Sequence, residues 1–232
     1  MKYNRFIAIG DSFTEGMCDE KRYGQYRGWA DRVADVMAAN QSGFQYANLS
    51  IRGKLLKQVI DEQIEPALAQ VVDKTTLVSF HAGANDVIRP KYNPNQTLPM
   101  YAEAVRKVAA SGATVMLFTV LEDSGSKGRL AESWQARFKV FNENVRAMAE
   151  EVGAILCDGN SEAAFKDPRF LAFDRLHLNP MGHDRVAQAV LESIELPFDP
   201  SWRRPLAPQE PTPQIVKSAV TIAWFATFAL PW

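Results

Sequence analysis

The sequence contains little of several features that mark particular classes of protein. Cysteine occurs only as Cys18 and Cys157, which excludes a disulfide scaffold and is typical of reduced thiols, with one disulfide as the alternative. Lys and Arg number 26 against 27 Asp and Glu. Because no field of one sign is available to attract phosphates or an anionic membrane, we expect no nucleic acid partner.

Long hydrophobic runs are also absent. The apolar stretch Phe6–Ile9 is followed directly by Gly10, and it is far shorter than the core of a secretory signal. Residues 219–232 are apolar almost throughout, but they fall short of the roughly 20 residues that span a bilayer. We therefore expect a cytoplasmic protein without integral membrane insertion.

A change of composition near residue 197 divides the chain. Residues 1–196 have the mixed composition of one globular domain, which fits a prior of about 150 residues per domain. Prolines then cluster between Pro197 and Pro213 without any apolar period, which is typical of an extended linker. Residues 197–232 are thus predicted to be a proline-rich linker and an apolar tail. Since a free apolar helix would aggregate, the tail should dock on its own domain or on a second subunit of a homodimer.

Short apolar runs alternate with helical patterns through the first domain, as expected for buried parallel strands joined by helices. Strands are predicted at residues 6–9, 44–48, 77–80, 115–118 and 154–157, and helices at 29–39, 55–71, 98–110, 134–151 and 182–194. The second helix should be irregular near Pro66. This alternation predicts an α/β fold, a flavodoxin-like three-layer sandwich with a five-stranded parallel sheet.

Polar segments follow the predicted strands, where ligands bind in folds of this kind. They are Gly10-Asp11-Ser12-Phe13 after the first strand, Asn48 to Gly53 after the second, Gly83-Ala84-Asn85-Asp86 after the third, and Asp174-Arg175-Leu176-His177 before the last helix. These segments contain the candidate site.

Ser12 is a candidate nucleophile, and a serine hydroxyl needs an adjacent base. The chain has three histidines. We expect His81 to be a hydrogen-bonded core residue and His183 to cap or pack the last helix. His177 follows Asp174 by three residues, so the carboxylate can bond one ring nitrogen while the other accepts a proton from Ser12.

The four segments resemble the sequence blocks of the SGNH hydrolase family, also called GDSL esterases and lipases. Gly10-Asp11-Ser12 matches the nucleophile block, with Phe13 in place of the usual leucine, which changes only a packing side chain. Gly53, Gly83-Ala84-Asn85-Asp86 and Asp174-x-x-His177 match the other blocks. Each block is weak evidence by itself, but the four in this order are specific.

The resemblance implies a serine hydrolase that cleaves carboxylic esters through an acyl-enzyme, with Ser12, His177 and Asp174 as catalytic triad and without cofactor or metal. It also implies an oxyanion hole built from the backbone N–H groups of Ser12 and Gly53 and the side-chain amide of Asn85. Glycine allows a close backbone approach, and asparagine offers uncharged donors. The simpler alternatives are a turn at Gly53 and a loop cap at Asn85.

Two other hydrolase types fit the residues less well. Asp11 and Asp86 could belong to a metallophosphoesterase, but the chain has no D-x-H or G-N-H ligands after the corresponding strands. We expect both carboxylates to brace loops by hydrogen bonds. The G-x-S-x-G elbow is absent because Thr14 stands where that motif has glycine.

The substrate is predicted to be a small-molecule ester with a short acyl or acetyl group, and the leaving group stays open. Phe13, Trp29 and the loop from Leu121 to Leu130 are candidates to line the site, although a core position is the better interpretation of Trp29. The alternative function is a non-catalytic binding or scaffold protein that retains the fold.

Overall fold

The structure, a computed structural model, describes residues 2–122 and 128–209. The elements in chain order are β1 (Arg5–Gly10), α1 (Ser12–Glu15), β2 (Lys21–Arg22), β3 (Gln25–Tyr26), α2 (Gly28–Asn40), β4 (Gln45–Asn48), α3 (Leu56–Val59), a π-helical turn (Ile60–Ile64), α4 (Glu65–Leu68), β5 (Thr76–His81), α5 (Ala84–Val87), α6 (Pro94–Ala110), β6 (Thr114–Phe118), α7 (Arg129–Val152), β7 (Ile155–Cys157) and α8 (Pro180–Ser193), with 3-10 turns at Ala163–Phe165, Pro168–Phe170 and Pro200–Arg203. Among the described residues, no helix has both the length and the hydropathy needed to cross a membrane.

The main sheet has the strand order β4-β1-β5-β6-β7, and all of its neighbouring strands are parallel. Its strands, counted along the chain, lie in the order 2-1-3-4-5, so the predicted flavodoxin-like topology is confirmed. In the register of β1 and β5, Gly10 lies opposite His81. The segments that follow these strands therefore emerge side by side at one edge of the sheet.

Helices cover both faces of the sheet, which confirms the predicted three layers. Along β1, Phe6 and Ala8 belong to the core under α2 and α8, whereas Ile7 and Ile9 belong to the core under α3, α6 and α7. This alternation follows from the opposite directions of successive side chains in a strand. The strand is buried on both faces and forms the centre of the domain.

The predicted helix at residues 55–71 is divided by a π-helical turn and ends at Leu68. Pro66 has no N–H to donate to the preceding turn, and its ring displaces that turn. The predicted irregularity is thus confirmed. The helix predicted from residue 98 begins earlier, at Pro94, because Asn93 caps it by accepting a hydrogen bond from the Asn95 N–H at 3.1 Å.

The first part of the predicted linker packs on the domain rather than extending from it. Trp202 is buried against Phe165, with ring centroids 5.6 Å apart, and its Nε1–H donates to Glu192 at 3.1 Å. Arg169 donates to the Ala207 carbonyl at 2.7 Å. The predicted apolar tail at 219–232 lies outside the described residues.

A close contact between two glycines positions α1 on α2. Gly16 ends α1 in a left-handed conformation with φ +89°, and a Cβ built there would lie 2.4 Å from the Cα of Gly28, the first residue of α2. Both the backbone conformation and the available space therefore require glycine. The contact fixes the short helix that begins with Ser12.

We expect Gly16→Ala to lower the free energy of unfolding by about 2 to 4 kcal/mol, since it adds backbone strain and an overlap with Gly28. Gly24→Ala is the matched control, because Gly24 also has positive φ, +83°, but a Cβ there meets nothing within 4 Å. This control should cost only about 1 kcal/mol. Urea denaturation measures both, and equal losses would contradict the role of the contact.

Candidate active site

Ser12 is the first residue of α1, immediately beyond β1. Asp11 caps this helix by accepting a hydrogen bond from the Phe13 N–H at 3.1 Å. The end of β1 is held by the buried Gln63 side chain, which bonds both the N–H and the carbonyl of Gly10, at 2.8 and 2.9 Å. The nucleophile candidate thus starts from a fixed backbone. No motif marks Gln63, and only its polarity within an apolar pattern could have indicated it.

Asp174 and His177 lie in a small hairpin-like loop closed by the bridge between Leu171 and Leu178. The Ala172 N–H donates to the His177 carbonyl at 2.8 Å, which closes the loop. Asp174 Oδ1 accepts hydrogen bonds from the backbone N–H groups of Leu176 and His177, each at 3.0 Å. These bonds turn the carboxylate back toward the imidazole.

The structure brings Ser12, His177 and Asp174 into one hydrogen-bonded chain. His177 Nδ1 lies 2.6 Å from Asp174 Oδ2, and His177 Nε2 lies 2.8 Å from Ser12 Oγ. All three side chains are largely buried. Such a chain can pass a proton from the hydroxyl to the ring.

The Asp174 carboxylate is ionised at neutral pH and sets the tautomer of the ring. Burial acts to raise its pKa, but hydrogen bonds from the His177 ring and from the N–H groups of His177 and Leu176 outweigh it and lower the pKa to about 2. An ionised carboxylate can only accept, so Nδ1 carries the proton facing it. In the neutral imidazole, Nε2 is then the acceptor for the Ser12 hydroxyl.

The other two histidines lie in the core. His183 is 1% exposed and donates from Nε2 to the Met17 carbonyl at 3.0 Å, and burial lowers its pKa. Its predicted packing role is confirmed. His81 is also buried, but its Nδ1 has no hydrogen-bond partner among the described residues and lies 3.5 Å from Asp11 Oδ1. The expected hydrogen bonding of His81 is therefore wrong at this nitrogen, since the ring packs on Phe13 instead.

One of the side chains expected near the substrate lies in the core. Trp29 is fully buried and packs against Phe13 and Phe118, with ring centroids 5.7 and 4.7 Å away. The core interpretation of Trp29 is confirmed. Part of the loop from Leu121 to Leu130 lies outside the described residues.

Asn85 connects the segments that contain Ser12 and Gly53. Its amide nitrogen donates to the Lys54 carbonyl at 3.0 Å and lies 3.4 Å from Asp11 Oδ2. Gly53 adopts φ +74°. Within residues 2–122 and 128–209, the N–H groups of Ser12 and Gly53 donate no hydrogen bond. Three candidate donors for an oxyanion thus belong to adjoining segments, although Asn85 also holds the loop as its simpler interpretation suggested.

Comparison of the sequence with family models gives a match to the GDSL-like Lipase/Acylhydrolase family over residues 8–185. The chain belongs to this family. As a member it is an acylhydrolase, and the predicted resemblance is confirmed. None of the curated proteins searched matches the sequence.

Solved structures show that the fold of this GDSL-family hydrolase recurs in other proteins. The acetylxylan esterase of Geobacillus stearothermophilus is 21% identical and superimposes with a TM-score of 0.67, over 86% of this chain and 100% of its own. An alpha/beta hydrolase enzyme from the metagenome of Lake Arreo is 21% identical, with a TM-score of 0.68 over 83% of this chain and 95% of its own. A member of the lipolytic G-D-S-L family from Veillonella parvula is 21% identical, with a TM-score of 0.63 over 81% and 96%.

Asp11 and Asp86 of the GDSL-family site brace loops, as predicted. Asp11 caps α1, and Asp86 Oδ2 accepts a hydrogen bond from the Leu56 N–H at 2.8 Å. Burial raises the pKa of Asp86. Both carboxylates therefore support the segments around the candidate oxyanion donors.

Glu15 holds the loop that leads to Gly53, and no sequence motif indicated it. Its Oε2 accepts a hydrogen bond from the Arg52 N–H at 2.7 Å, and the Arg52 side chain donates from Nε at 3.0 Å. The Arg52 guanidinium also lies over the ring of Tyr26, 5.0 Å from its centroid. Arg52, the residue before Gly53, is thus anchored to the helix that contains Ser12.

The lowered pKa of Asp174 predicts how this residue contributes to stability at different pH. Its stabilisation, on the order of 2 kcal/mol, is fully present above the unfolded-state pKa of about 4 and is lost as the pH falls toward 2. We therefore expect the difference in free energy of unfolding between wild type and Asp174→Asn to shrink from about pH 5 to about pH 3. Urea denaturation at each pH measures it, and a constant difference would contradict the assignment.

Proposed function

We propose that the enzyme hydrolyses carboxylic esters with short acyl groups, acetyl esters among them, through an acyl-enzyme on Ser12. The observation that supports this most directly is the hydrogen-bonded chain from Asp174 Oδ2 to His177 to Ser12 Oγ, with distances of 2.6 and 2.8 Å. A serine held against a neutral imidazole with a fixed tautomer is an activated nucleophile.

In the proposed reaction, Ser12 Oγ attacks the ester carbonyl carbon while His177 Nε2 takes the hydroxyl proton. The tetrahedral intermediate collapses, the bond to the alcohol oxygen breaks, and His177 returns the proton to the departing alcohol. Water then attacks the acyl-enzyme with His177 again as base, which releases the acid and restores Ser12. Asp174 stays ionised and stabilises the imidazolium that forms in each half-reaction.

We assign the oxyanion hole to the backbone N–H groups of Ser12 and Gly53 and the side-chain amide of Asn85. The two backbone groups have no competing acceptor in the described part of the chain. The Asn85 N–H that faces Asp11 makes only a long contact, 3.4 Å, so the developing oxyanion is a better acceptor for it. Preorganised donors of this kind stabilise the transition state more than the substrate.

The comparisons support the proposed chemistry and the choice of acetyl esters. The Geobacillus stearothermophilus acetylxylan esterase has been solved as two catalytic mutants, in which a histidine and a serine are replaced by alanine. An acetylated small molecule is therefore the first substrate class to examine. A substrate panel of esters of different acyl length, thioesters and acetylated sugars would define the acyl group and the leaving group.

A fluorophosphonate probe tests the activated serine. We expect it to label the wild type and not Ser12→Ala, because only an activated hydroxyl displaces its leaving group. Ser50→Ala is the matched control, since Ser50 is buried to the same extent, 8% exposed, and its hydroxyl has no hydrogen-bond partner in the part of the chain that the structure describes. Persistent labelling of Ser12→Ala would remove the nucleophile assignment, and an unlabelled wild type would favour the binding-protein alternative.

Asp174→Asn tests the acid of the triad. The amide can present N–H to the ring and favour the wrong tautomer, so turnover of an acetyl ester should fall by about 10⁴-fold. Initial rates at saturating substrate measure this, with circular dichroism to verify folding. A loss of less than about tenfold would implicate another acid or none.

Glu15 is proposed as a positioning residue that acts through Gly53. We expect Glu15→Ala to lower kcat by about 10 to 100-fold with little change in KM, less than the 100 to 1000-fold typical of losing a donor. Arg52→Ala keeps the backbone N–H that donates to Glu15, so it should lower kcat much less. Equal losses of kcat in both variants would show that the side-chain ion pair, not the loop backbone, matters.

A further inference from the structure

Cys18 lies beside the acid of the triad, and the proposed mechanism does not use it. Its Sγ is 3.7 Å from Asp174 Oδ2. The segment is held in place because the Met17 N–H donates to the Ser12 carbonyl at 3.0 Å and the Met17 carbonyl accepts from His183, also at 3.0 Å. The thiol is thus a fixed part of the site.

Three different metal-binding groups meet at this point. One ligand atom from each of Cys18, Asp174 and His177 lies within 4.8 Å of the other two. The Asp174 and His177 side chains are 11% and 15% exposed, and Cys18 is half-buried. None of the three side chains is fully buried, so the cluster is partly open to solvent.

We propose that Cys18, Asp174 and His177 form an inhibitory site for a thiophilic divalent cation such as Zn²⁺.

The donor set matches the chemistry of this cation. Zn²⁺ binds sulfur at about 2.3 Å and nitrogen or oxygen at about 2.0 to 2.1 Å in a tetrahedron, so its ligand atoms are separated by about 3.3 to 3.5 Å. The distance of 3.7 Å between Cys18 Sγ and Asp174 Oδ2 is close to this value. The contact between Asp174 Oδ2 and His177 Nδ1, now 2.6 Å, must lengthen to about 3.3 Å to admit the cation. Thiolate and imidazole ligands disfavour Mg²⁺ and Ca²⁺.

Binding of the cation releases one proton and moves another. Burial, together with Asp174, raises the pKa of Cys18 to about 11, so the metal displaces the thiol proton to solvent. His177 binds through Nδ1 as its other tautomer: the ring gives up the Nδ1 proton to solvent and takes one from solvent on Nε2, so it stays neutral. Because Nε2–H can no longer accept a proton from Ser12, the ring stops acting as a base. This inhibition rests on the proposed function, whereas the binding of the metal does not.

Inhibition by Zn²⁺ tests the functional part. We expect ZnCl₂ in the micromolar range to inhibit hydrolysis of an acetyl ester and chelation by EDTA to restore the rate, whereas Mg²⁺ and Ca²⁺ leave the rate unchanged.

Each variant is compared with its own metal-free rate. Cys18→Ser and Cys18→Ala should need roughly tenfold more Zn²⁺ or higher for half inhibition. Cys157→Ser is the matched control, since this second free thiol lies against Ser193 and away from the triad, and it should respond as wild type. Equal sensitivity of all these variants would overturn the proposal.

Binding of Cd²⁺ tests the site without enzyme activity. The ultraviolet charge-transfer absorption of a cadmium thiolate should appear in wild type, Cys157→Ser and Ser12→Ala, and be absent from Cys18→Ser. No absorption in wild type, or absorption in Cys18→Ser, would overturn the site. If the wild type binds Cd²⁺ but has no esterase activity, the proposed function fails and the metal site stands. Absorption with an active, uninhibited enzyme would overturn the inhibitory role.

Discussion

The hydrogen bond between His177 and Ser12 is the interaction on which the site depends, because it joins residues that are 165 positions apart. The pair of Asp174 and His177 can form within its own loop, since three residues separate them and the same carboxylate accepts the loop N–H groups. Ser12 meets the ring only where β1 and α8 pack together in one hydrophobic core. The hydrogen-bonded arrangement of the three residues is therefore a consequence of the whole fold.

Side-chain hydrogen bonds to the backbone, together with apolar packing, hold the segments around this pair. Gln63 bonds both groups of Gly10, Asp86 accepts from the Leu56 N–H, and Asn48 donates to the Thr14 carbonyl at 2.9 Å. Loops beyond a sheet edge leave backbone groups without ladder partners, and those groups need acceptors and donors from elsewhere. Polar residues near the strand ends supply them, which keeps the site rigid before substrate arrives.

The sequence predicted the sheet and the pairing of Asp174 with His177 because both leave local signals. Buried strands are short apolar runs, and the Asp174 to His177 spacing is set within one loop. Shorter elements such as α1 and α5, four residues each, have too few positions for a helical period. Gln63 and Glu15 could not be predicted as supports, because their partners, Gly10 and Arg52, are distant in sequence and no spacing connects them.

The geometry that supports the proposed role of the imidazole as a base also supports its proposed role as a metal ligand. Asp174 fixes the proton on Nδ1 by accepting it, and an ionised carboxylate with an imidazole nitrogen is already two thirds of a three-residue metal site. Cys18 supplies the proposed third ligand, because its sulfur lies 3.7 Å from the carboxylate oxygen that faces Nδ1. Since Nδ1 has one lone pair, a ring that coordinates a cation there must carry its proton on Nε2, so metal binding and proton transfer from Ser12 exclude each other.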